Sequence, residues 1–440
     1  MNINKYKNID LKKLISKLYP YNYAVNGLGN NQTIKILKKE LNFKIHQFKE
    51  GSEINGWRIP KCQKTLKAII KYNGKVILDN TNSPLGLILS CNSFNGKIKS
   101  KDLKRHLFFH SRNSKFLPFH CTKQYNFEKI DWGFCVTKKF FDSLDENGTY
   151  EVDIKIKYMK SSMKVFDYKI KGKSKKTILI QAHNCHPYQA NDDLSGIAVG
   201  IRLMQILQLK KLYYSYRFII SPEITGTVFW LDKYKSIKND FIGSIILPAC
   251  GNSSDLKLQE TFSANTFLDR ISHNIFKKKY KNYKSGKFRT IHGNDETVFE
   301  AVGYEIPSIS LTRYPFKEYH SNKDTPNIIS DYHIKDTLDT VLSIINELDK
   351  QKIYKFVHTG LFCLSNKKYD LYINSWDPSN RNGPKNRDDN RKWYKAMTEL
   401  PRLLNGYNSL DDLAAILDLD KELLNNYLLK WVKKKLVRIY

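Results

Sequence analysis

The stretch from Thr177 to Leu209 constrains the fold of this chain more than any other. It begins with an apolar run, Ile178 to Ile180, which is too short for a helix and is typical of a strand buried on both faces. It ends with apolar residues at helical spacing, introduced by Ser195 and Gly196. The stretch therefore predicts a strand, a loop and a helix within an α/β sheet.

The loop between this strand and helix carries four ionisable side chains: His183, His186, Asp192 and Asp193. Ligands of open α/β sheets bind beyond the carboxyl ends of the strands, so this loop is a candidate site. Two imidazoles and two carboxylates form the mixed set that zinc prefers. The alternative is an ordinary loop whose histidines form hydrogen bonds and whose aspartates cap the helix.

A second stretch, His292 to Thr325, has the same organisation. Ile306 to Leu311 predicts another short buried strand, and Arg313, Glu318, His320 and Asp324 follow it. Between the two stretches, Tyr216 to Ser221 predicts a strand that ends just before Glu223. Three strands thus deliver imidazole and carboxylate groups to one edge of the sheet. A hydrolytic zinc with an open position for water requires such groups.

Several motifs resemble those of the zinc-dependent aminopeptidases that have a phosphorylase/hydrolase-like α/β sheet. In chain order they are WRIP, NSPLGLILSC, DWGFCV, AHNCHPYQANDDLSG, SPEITGT, GNDE and EYHSNKD. More closely, the chain resembles a bacterial aminopeptidase-like family with a small inserted β domain and a C-terminal winged helix. The resemblance implies an α/β fold with a mostly parallel mixed sheet and helices on both faces. It also implies a zinc-dependent hydrolase of a small peptide-like or amide substrate.

The same resemblance implies metal ligands. The first zinc histidine maps onto His183, but Cys185 replaces the aspartate that would orient it, and His186 is an adjacent alternative ligand. The metal-bridging aspartate maps onto Asp192, and the late Tyr-His motif carries a zinc histidine onto His320. The choice between the two neighbouring histidines is open.

The resemblance also exposes two departures. Enzymes of the clan have adjacent glutamates, one a base and one a ligand, whereas this chain has Glu223 followed by Ile224. Glu223 is therefore either the general base or a ligand. The position expected for the aspartate of a second metal reads PACGN, and Asn252 is a weak, neutral ligand by comparison. We expect one zinc rather than two.

Six further residues are candidates for contacts with the substrate or with the ligand residues: Asp193, Asp295, Glu296, Arg313, Tyr319 and Asp324. Asp295 and Glu296 precede the helical pattern TVFEAV, so capping of that helix is the alternative role. Arg313 has the geometry to clamp a carboxylate or phosphate, or else pairs with Glu318 or Asp324. Asp324 is a candidate hydrogen-bond partner for a ligand histidine.

The texture of the chain predicts its domains. Residues 1–50 and 164–376 form the aminopeptidase-like domain, and short alternating runs over 51–163 indicate an inserted β-rich domain in which His120 lies in a loop. Residues 377–391 are polar and rich in Pro, Gly and Asn, as a linker is. Residues 392–440 contain three helical patterns that we interpret as a winged helix, with Lys421–Lys434 as its third helix.

Charge and cysteine usage narrow the functional classes. The net charge is +31, from 74 Lys and Arg against 43 Asp and Glu, but the lysines are spread along the whole chain. Such a spread favours a general lysine bias over a nucleic-acid patch. The seven cysteines form no CxxC pair, and the amino terminus resembles no signal peptide, so we expect a reduced cytoplasmic protein. No run of about 18 apolar residues predicts a membrane span.

Three functional hypotheses remain. The first is a metallo-aminopeptidase-like amide hydrolase. The second is a peptidase-derived protein that acts on or binds a modified sugar in polysaccharide biosynthesis, a hypothesis motivated by the missing second glutamate and by Cys185. The third is a DNA-binding regulator that uses the C-terminal domain. The third predicted helix of that domain has apolar packing positions and few basic ones, so we favour protein docking or homo-oligomerisation there.

Overall fold

The computed structural model describes residues 10–121, 131–373 and 387–440. Its helices are α1 (Leu11–Leu18), α2 (Leu28–Gln32), α3 (Ile34–Glu40), α4 (Ser100–Leu103), α5 (Lys138–Asp142), α6 (Ser195–Leu207), α7 (Thr225–Lys233), α8 (Phe267–Lys279), α9 (Glu296–Phe299), α10 (Asp331–Leu348), α11 (Arg387–Leu403), α12 (Leu410–Leu417) and α13 (Lys421–Lys433).

The strands begin in the first half of the chain with β1 (Lys44–Lys49), β2 (Glu53–Ile54), β3 (Trp57–Arg58), β4 (Cys62–Tyr72), β5 (Lys75–Asp79), β6 (Phe94–Lys99), β7 (Leu107–Phe108), β8 (Phe134–Cys135), β9 (Thr149–Met159) and β10 (Ser162–Ile170). They continue with β11 (Thr177–His183), β12 (Ser215–Ser221), β13 (Phe241–Ile246), β14 (Lys257–Gln259), β15 (Lys284–Gly286), β16 (Ser308–Thr312), β17 (Ile353–Phe356), β18 (Asn405–Ser409) and β19 (Val437–Ile439).

An eight-stranded mixed sheet forms the centre of the first structural unit, in the order β1-β10-β12-β11-β13-β16-β14-β15. Its middle block, β12-β11-β13-β16, is parallel, while β1 and β10 pair antiparallel on one side and β14 pairs antiparallel with β16. The four middle strands are buried along their whole length. Because both faces of these strands are buried, their apolar runs are continuous rather than alternating. The predicted α/β fold is confirmed.

The helix predicted after the first strand is α6, and its apolar face packs fully into the core. Gly200 faces the ring of Phe218 on β12, where an added Cβ would approach ring carbons to 2.2 Å. Close contact between helix and sheet therefore requires glycine at this position. The packing fixes α6, and with it the loop that precedes the helix, against the carboxyl end of β11.

A second, smaller sheet lies within the region predicted to be an inserted β domain. Its order is β5-β4-β9-β6, all antiparallel, and it has its own hydrophobic core with Ile70, Phe134 and Val152 among the buried residues. The alternating texture of 51–163 thus corresponds to strands, as predicted. The assignment of these residues as a separate inserted domain stays a prediction.

Residues 263–275 and 343–440 form a second compact unit. It contains a three-stranded antiparallel sheet, β18-β17-β19, and a core that unites Tyr354 and Leu371 with Trp431. Because β17 is the central strand of this sheet, the unit includes residues well before the predicted boundary at 392. The winged-helix interpretation stays a prediction, and most of the predicted linker lies outside the described residues, with α11 starting at Arg387.

The helical patterns of the C-terminal region are confirmed. Ser409 caps α12 with a full capping box, in which its hydroxyl accepts from Asp412 N and the Asp412 carboxylate accepts from Ser409 N. The helix predicted over Lys421–Lys434 is α13; Leu424, Tyr427, Leu428 and Trp431 face the core, whereas Leu423, also expected to pack, is 57% exposed. None of the described helices combines the length and apolar character needed to cross a membrane.

Candidate metal centre

The parallel register of the sheet brings the candidate residues to one edge. His183 is the last residue of β11 and pairs with Ser221, the last residue of β12, so Glu223 leaves its strand beside His183. His320 arrives from the loop after β16, and its backbone has a positive φ of 49°. The prediction that three strands deliver these side chains to one edge matches the structure.

Asp192 lies between two histidines. Its Oδ1 is 3.1 Å from His183 Nε2, and its Oδ2 is 3.1 Å from His320 Nε2. The two Nε2 atoms and both carboxylate oxygens are buried, and among the described residues they face only one another, without a well-aligned hydrogen bond. Buried polar atoms that lack well-formed hydrogen bonds are costly, so this convergence of ligand atoms fits a bound cation. Two imidazoles and a carboxylate suit zinc.

The charge balance of the cluster also fits a cation. Burial lowers the pKa of His183, but the carboxylates of Asp193 and Asp192 outweigh it and raise that pKa to about 10. The surroundings of this imidazole therefore stabilise positive charge, and a zinc ion bound at Nε2 supplies such charge in place of a proton.

His186 lies in the same cluster. Its ring centre is 4.6 Å from that of His183 and 5.2 Å from that of His320. The ligand atoms of His183, His186 and Asp192 all lie within 4.8 Å of one another, and so do those of Cys185, His186 and Glu223. Burial holds the pKa of His186 well below its ordinary value, which keeps the imidazole neutral, as a metal ligand must be.

Asp193 organises the strand end rather than facing a substrate. Its Oδ2 accepts from His183 N at 3.1 Å, and its Oδ1 accepts from Gly196 N at 3.1 Å and from Ala249 N at 3.2 Å. The Asp192–Asp193 peptide bond is cis. Burial raises the pKa of Asp193 to about 8. The residue joins β11, α6 and the loop after β13.

Glu223 sits beside the histidine cluster, with Oε2 3.7 Å from His186 Nε2 and a side chain that is 17% exposed. Burial, helped by the carboxylates of Asp295 and Asp192, raises its pKa to about 8 despite the opposing effect of His183. The next residue, Ile224, has a positive φ of 58°, which turns the chain sharply at this point.

Two side chains hold the backbone of this turn. Asp295 Oδ1 accepts from Ile224 N at 2.8 Å, and Cys185 Sγ accepts from Glu223 N at 3.3 Å. Asp295 is the N-cap residue of α9, but its carboxylate makes no hydrogen bond to that helix and accepts a second hydrogen bond from Gln181 Nε2 at 2.6 Å. Cys185, expected only as a departure from the clan pattern, positions Glu223.

Asn294 is a neighbour of the site that the sequence did not single out. Its Nδ2 lies 3.1 Å from His183 Nδ1. In the clan pattern an aspartate orients this histidine, and Cys185 replaces that aspartate in this sequence. Asn294 is the side chain that contacts this ring nitrogen. The adjacent Glu296 accepts from Asn294 N at 2.9 Å, and burial raises the pKa of this carboxyl to about 7. The motif GNDE contains both residues, but an asparagine carries no chemical signature from which this contact could be predicted.

The predicted role of Asp324 needs correction. Its two carboxylate oxygens accept from the backbone N–H groups of Asn191, at 2.6 Å, and Asp192, at 3.1 Å, rather than from a ligand histidine. It therefore fixes Asp192, the candidate ligand, through the main chain. Tyr319 stacks on His320 with ring centres 3.9 Å apart, and its hydroxyl lies 3.4 Å from His292 Nε2.

Arg313 does not pair with Glu318 or Asp324, so that expectation is wrong. Its buried guanidinium donates to the Asp336 carboxylate at 2.6 Å, to Ser254 O and His333 O, and to the Thr337 hydroxyl. These contacts use all three guanidinium nitrogens, so the group joins β16 to α10.

Asn252 is likewise engaged locally. Its Oδ1 accepts from Ser254 N at 2.7 Å, and its Nδ2 donates to Arg313 O at 3.0 Å. The side chain that stands where a second metal ligand was considered is thus committed to the backbone.

Phe119 covers the cluster from the loop that contains His120. Its ring makes edge contacts with His186 and His320, each with centres 5.0 Å apart, and its N–H donates to His320 O at 2.7 Å. His120 itself packs against Phe108, with ring centres 4.1 Å apart. The sequence pointed to His120 as the residue of this loop that could reach the site, whereas the neighbouring Phe119 makes the contact.

A family model described as "Domain of unknown function (DUF4910)" matches residues 12–351, which include every residue of the candidate centre. The chain belongs to the DUF4910 family. One relative of this DUF4910 chain is a protein of Clostridium acetobutylicum described as a candidate polysaccharide biosynthesis protein with an aminopeptidase-like domain. It is 27% identical over 352 residues, which cover 78% of this chain and 79% of the relative.

Solved structures share the fold of the DUF4910 chain. A candidate peptidase from Clostridium acetobutylicum has a TM-score of 0.72 at 23% identity, covering 98% of this chain and 96% of that chain. A zinc aminopeptidase from Bacillus subtilis has a TM-score of 0.58 at 14% identity, covering 77% and 94%. A peptidase M28 precursor from Shewanella amazonensis has a TM-score of 0.53 at 11% identity, covering 76% and 92%. The DUF4910 fold is that of bacterial zinc aminopeptidases.

Proposed function

We propose that this protein is a zinc-dependent amide hydrolase of the aminopeptidase type. The observation that carries the proposal is the buried cluster in which the ligand atoms of His183, His186 and Asp192 lie within 4.8 Å of one another, with His320 Nε2 3.1 Å from the second Asp192 oxygen. The fold supports the same conclusion, since a protein described as a zinc aminopeptidase from Bacillus subtilis shares it.

In this proposal His183, His186 and Asp192, whose ligand atoms lie within 4.8 Å of one another, hold a single zinc ion, and His320, beside the other oxygen of Asp192, is a further candidate ligand. When bound, zinc polarises a carbonyl and acidifies a water molecule. Asp324, which holds the backbone of Asp192, and Tyr319, which stacks on His320, keep the ligands in place. The local engagement of Asn252 supports one metal rather than two.

Glu223 is the proposed general base. Its carboxylate lies beside the cluster, and Asp295 and Cys185 fix its backbone. Burial raises the pKa of this glutamate, and a cation bound at the histidine cluster would lower it again and so favour the ionised form, which accepts a proton from water. The same group can then return the proton to the leaving amine.

The first experiment is metal analysis of the purified protein by mass spectrometry. We expect about one zinc per chain, lost in His320→Ala and in Asp192→Ala. The matched controls are His358→Ala and Asp255→Ala, which alter exposed residues outside the cluster and should keep the metal. A protein that binds no zinc, even when zinc is added, would exclude the proposal.

The second experiment tests the base. Glu223→Gln should retain zinc and lose about 10²- to 10⁴-fold in kcat on an aminoacyl anilide or an N-acyl amine, as expected when a general base is removed. Normal turnover in this variant would show that another group takes the proton.

The description of the Clostridium acetobutylicum relative places that protein in polysaccharide biosynthesis. We propose the same setting for this chain, with an amide of a sugar as one form of substrate. A screen that compares aminoacyl anilides with N-acylated amino sugars separates a general aminopeptidase from an enzyme of sugar metabolism.

A further inference from the structure

A cleft of about 530 Å³ adjoins the candidate metal centre. Its volume falls within the range of small-molecule sites, roughly 300–1,000 Å³. The cleft shares Phe119 with the metal centre, since that ring also contacts His186 and His320. Pro187 and Tyr188, which directly follow His186 in the chain, form part of the same wall. A ligand in this cleft would therefore lie beside Phe119, the ring that covers the candidate metal centre, although the proposed ligand histidines do not themselves line the cleft.

Most of the lining comes from the smaller β-sheet region, through residues 60–65 and 80–91, and the rest comes largely from residues 20–32. The lining is polar but almost uncharged. Its carboxamides and hydroxyls are Asn22, Asn26, Gln32, Gln63, Asn80, Asn82, Thr65, Thr81, Ser83 and Ser90. Among the described residues that line it there is no acidic side chain, and the two lysines, Lys61 and Lys64, are exposed.

Carboxamide and hydroxyl side chains both donate and accept hydrogen bonds, so they match ligands that present hydroxyls. Asn26 shows that such capacity is available, because it is only 3% exposed and its Oδ1 has no hydrogen-bond partner, while its Nδ2 donates to Pro60 O. A buried acceptor without a partner at a cleft wall is suited to a donor from a ligand.

Aromatic rings complete the lining. Tyr21 and Tyr188 are both half-buried, and Tyr188 is held at a positive φ of 53° with its ring against Tyr19. Non-glycine residues adopt this backbone region at a cost, and such outliers concentrate at ligand-contacting segments. Flat rings with polar tips beside carboxamides suit a ligand that has both apolar ring faces and peripheral hydroxyls.

We propose that this cleft binds the sugar ring of an N-acylated, uncharged amino sugar, and so presents the amide of that sugar to the metal centre. The inference rests on the proposed amide hydrolase function and names its substrate class. It gives the smaller β-sheet region a role, because residues 60–65 and 80–91 supply most of the sugar-binding wall.

The test is calorimetric binding to the full-length, zinc-loaded Glu223→Gln protein, which cannot turn over a bound amide. The probes are the β-linked disaccharide of N-acetylglucosamine and the tripeptide Leu-Gly-Gly. We expect the disaccharide to bind at least about tenfold more tightly than the peptide. Tighter binding of the peptide, or no binding of the disaccharide, would overturn the inference.

Variants locate the binding site. Gln63→Ala combined with Asn82→Ala removes two carboxamides from the cleft and should weaken disaccharide binding by about tenfold or more, the loss expected for two neutral hydrogen bonds. The matched control combines Asn95→Ala with Asn147→Ala, which are exposed carboxamides of the same β-sheet region outside the cleft. Equal affinity in the cleft and control variants would overturn the inference.

Zinc content separates this test from the test of the proposed function. Cleft variants that bind zinc normally but lose the disaccharide support the sugar site. If the wild-type protein hydrolyses aminoacyl anilides and the cleft variants keep the same KM and kcat on N-acylated sugars, the hydrolase function stands and the sugar inference fails. If no zinc binds at all, the proposed function fails, whatever the disaccharide result.

Discussion

Asp324 supports a proposed metal ligand, Asp192, through the main chain. Its two oxygens accept from two successive backbone N–H groups, those of Asn191 and Asp192. In Asp324→Asn one oxygen becomes an NH₂ group that faces a donor. We expect zinc affinity to fall about 10- to 100-fold, as is usual when a group that supports a ligand is lost. Competition with a chelating dye measures the change.

The control for this variant is Asp331→Asn, which makes the same chemical change at an exposed position. It should bind zinc as the wild type does. Equal zinc affinities in Asp324→Asn and Asp331→Asn would show that the backbone of Asp192 needs no such support.

Asp167 provides a pH-dependent part of the stability. Burial alone would raise its pKa, but hydrogen bonds from His46 and Arg217 outweigh burial and hold the pKa at about 2. Because this folded-state pKa lies below the ordinary value, its stabilisation is present above about pH 4 and is lost as the pH falls towards 2. The shift corresponds to about 2 kcal/mol.

Urea unfolding of the wild type and of Asp167→Asn between pH 6 and pH 3 tests this contribution. The variant leaves Arg217 buried without its partner and should be about 3–5 kcal/mol less stable near neutral pH. The difference should narrow as the pH falls. The control is Asp142→Asn, which breaks an exposed ion pair with Lys138 and should change the stability by less than about 1 kcal/mol.

At the scale of single residues, the sequence predicted the members of the cluster better than their contacts. His183, Asp192, Glu223 and His320 converge because parallel strands deliver their ends to one edge, and strand position is readable from a sequence. The hydrogen-bond partners of Asp324 and Arg313 depend on how the loops pack. Each of these charged side chains can pair with any of several nearby groups. Side-chain type alone does not choose among them.

At the scale of elements, α12 depends on its cap. The Ser409 hydroxyl accepts from Asp412 N, and Asp412 in turn accepts from Ser409 N. Ser409→Ala should destabilise the protein by about 1 kcal/mol. The control, Thr398→Ala, removes an exposed hydroxyl from α11 and should change stability by less than about 0.5 kcal/mol. Hydrogen exchange of the α12 amides should rise in the cap variant and not in the control.

Elements with strong periodicity were predictable, and elements defined by pairing were not. Ser409 and the acidic residues that follow it predicted the start of α12, and continuous apolar runs predicted β11, β12 and β16. The short strand β17, by contrast, is the central strand of the C-terminal sheet. Its four residues carry no period of their own, so only its partners in β18 and β19 reveal the unit to which it belongs.

At the scale of the whole molecule, zinc should stabilise the folded chain. A ligand that binds only the native state adds about 2.7 kcal/mol when its concentration is 100 times its dissociation constant. We expect chelation to lower the melting temperature of the wild type by a few degrees. In Asp192→Ala, chelation should have no effect. An equal shift in both proteins would mean that the metal binds elsewhere.

The order of strands and helices in the sequence predicted the fold class, but it did not predict the cleft. Its walls come from three separated parts of the chain, residues 20–32, 60–65 and 80–91, and none of them carries a motif for ligand binding. Neutral carboxamides are common on protein surfaces, so they indicate a binding site only when the fold brings several of them together around one cavity. The sequence therefore suggested a modified sugar only as one hypothesis, and the part of the molecule that would bind it could be proposed only from the structure.

The hydrogen bond from Phe119 N to His320 O, flanked by the pairing of Pro118 with Ser321, has an evolutionary consequence. A surface insertion can ordinarily be shortened or lost while the host domain persists. Here the loop that includes Phe119 lies within residues 51–163 and anchors the backbone of a proposed metal ligand. A lineage that discarded this region would also release the backbone of His320, so residues 51–163 and the proposed metal centre are expected to be kept or abandoned together.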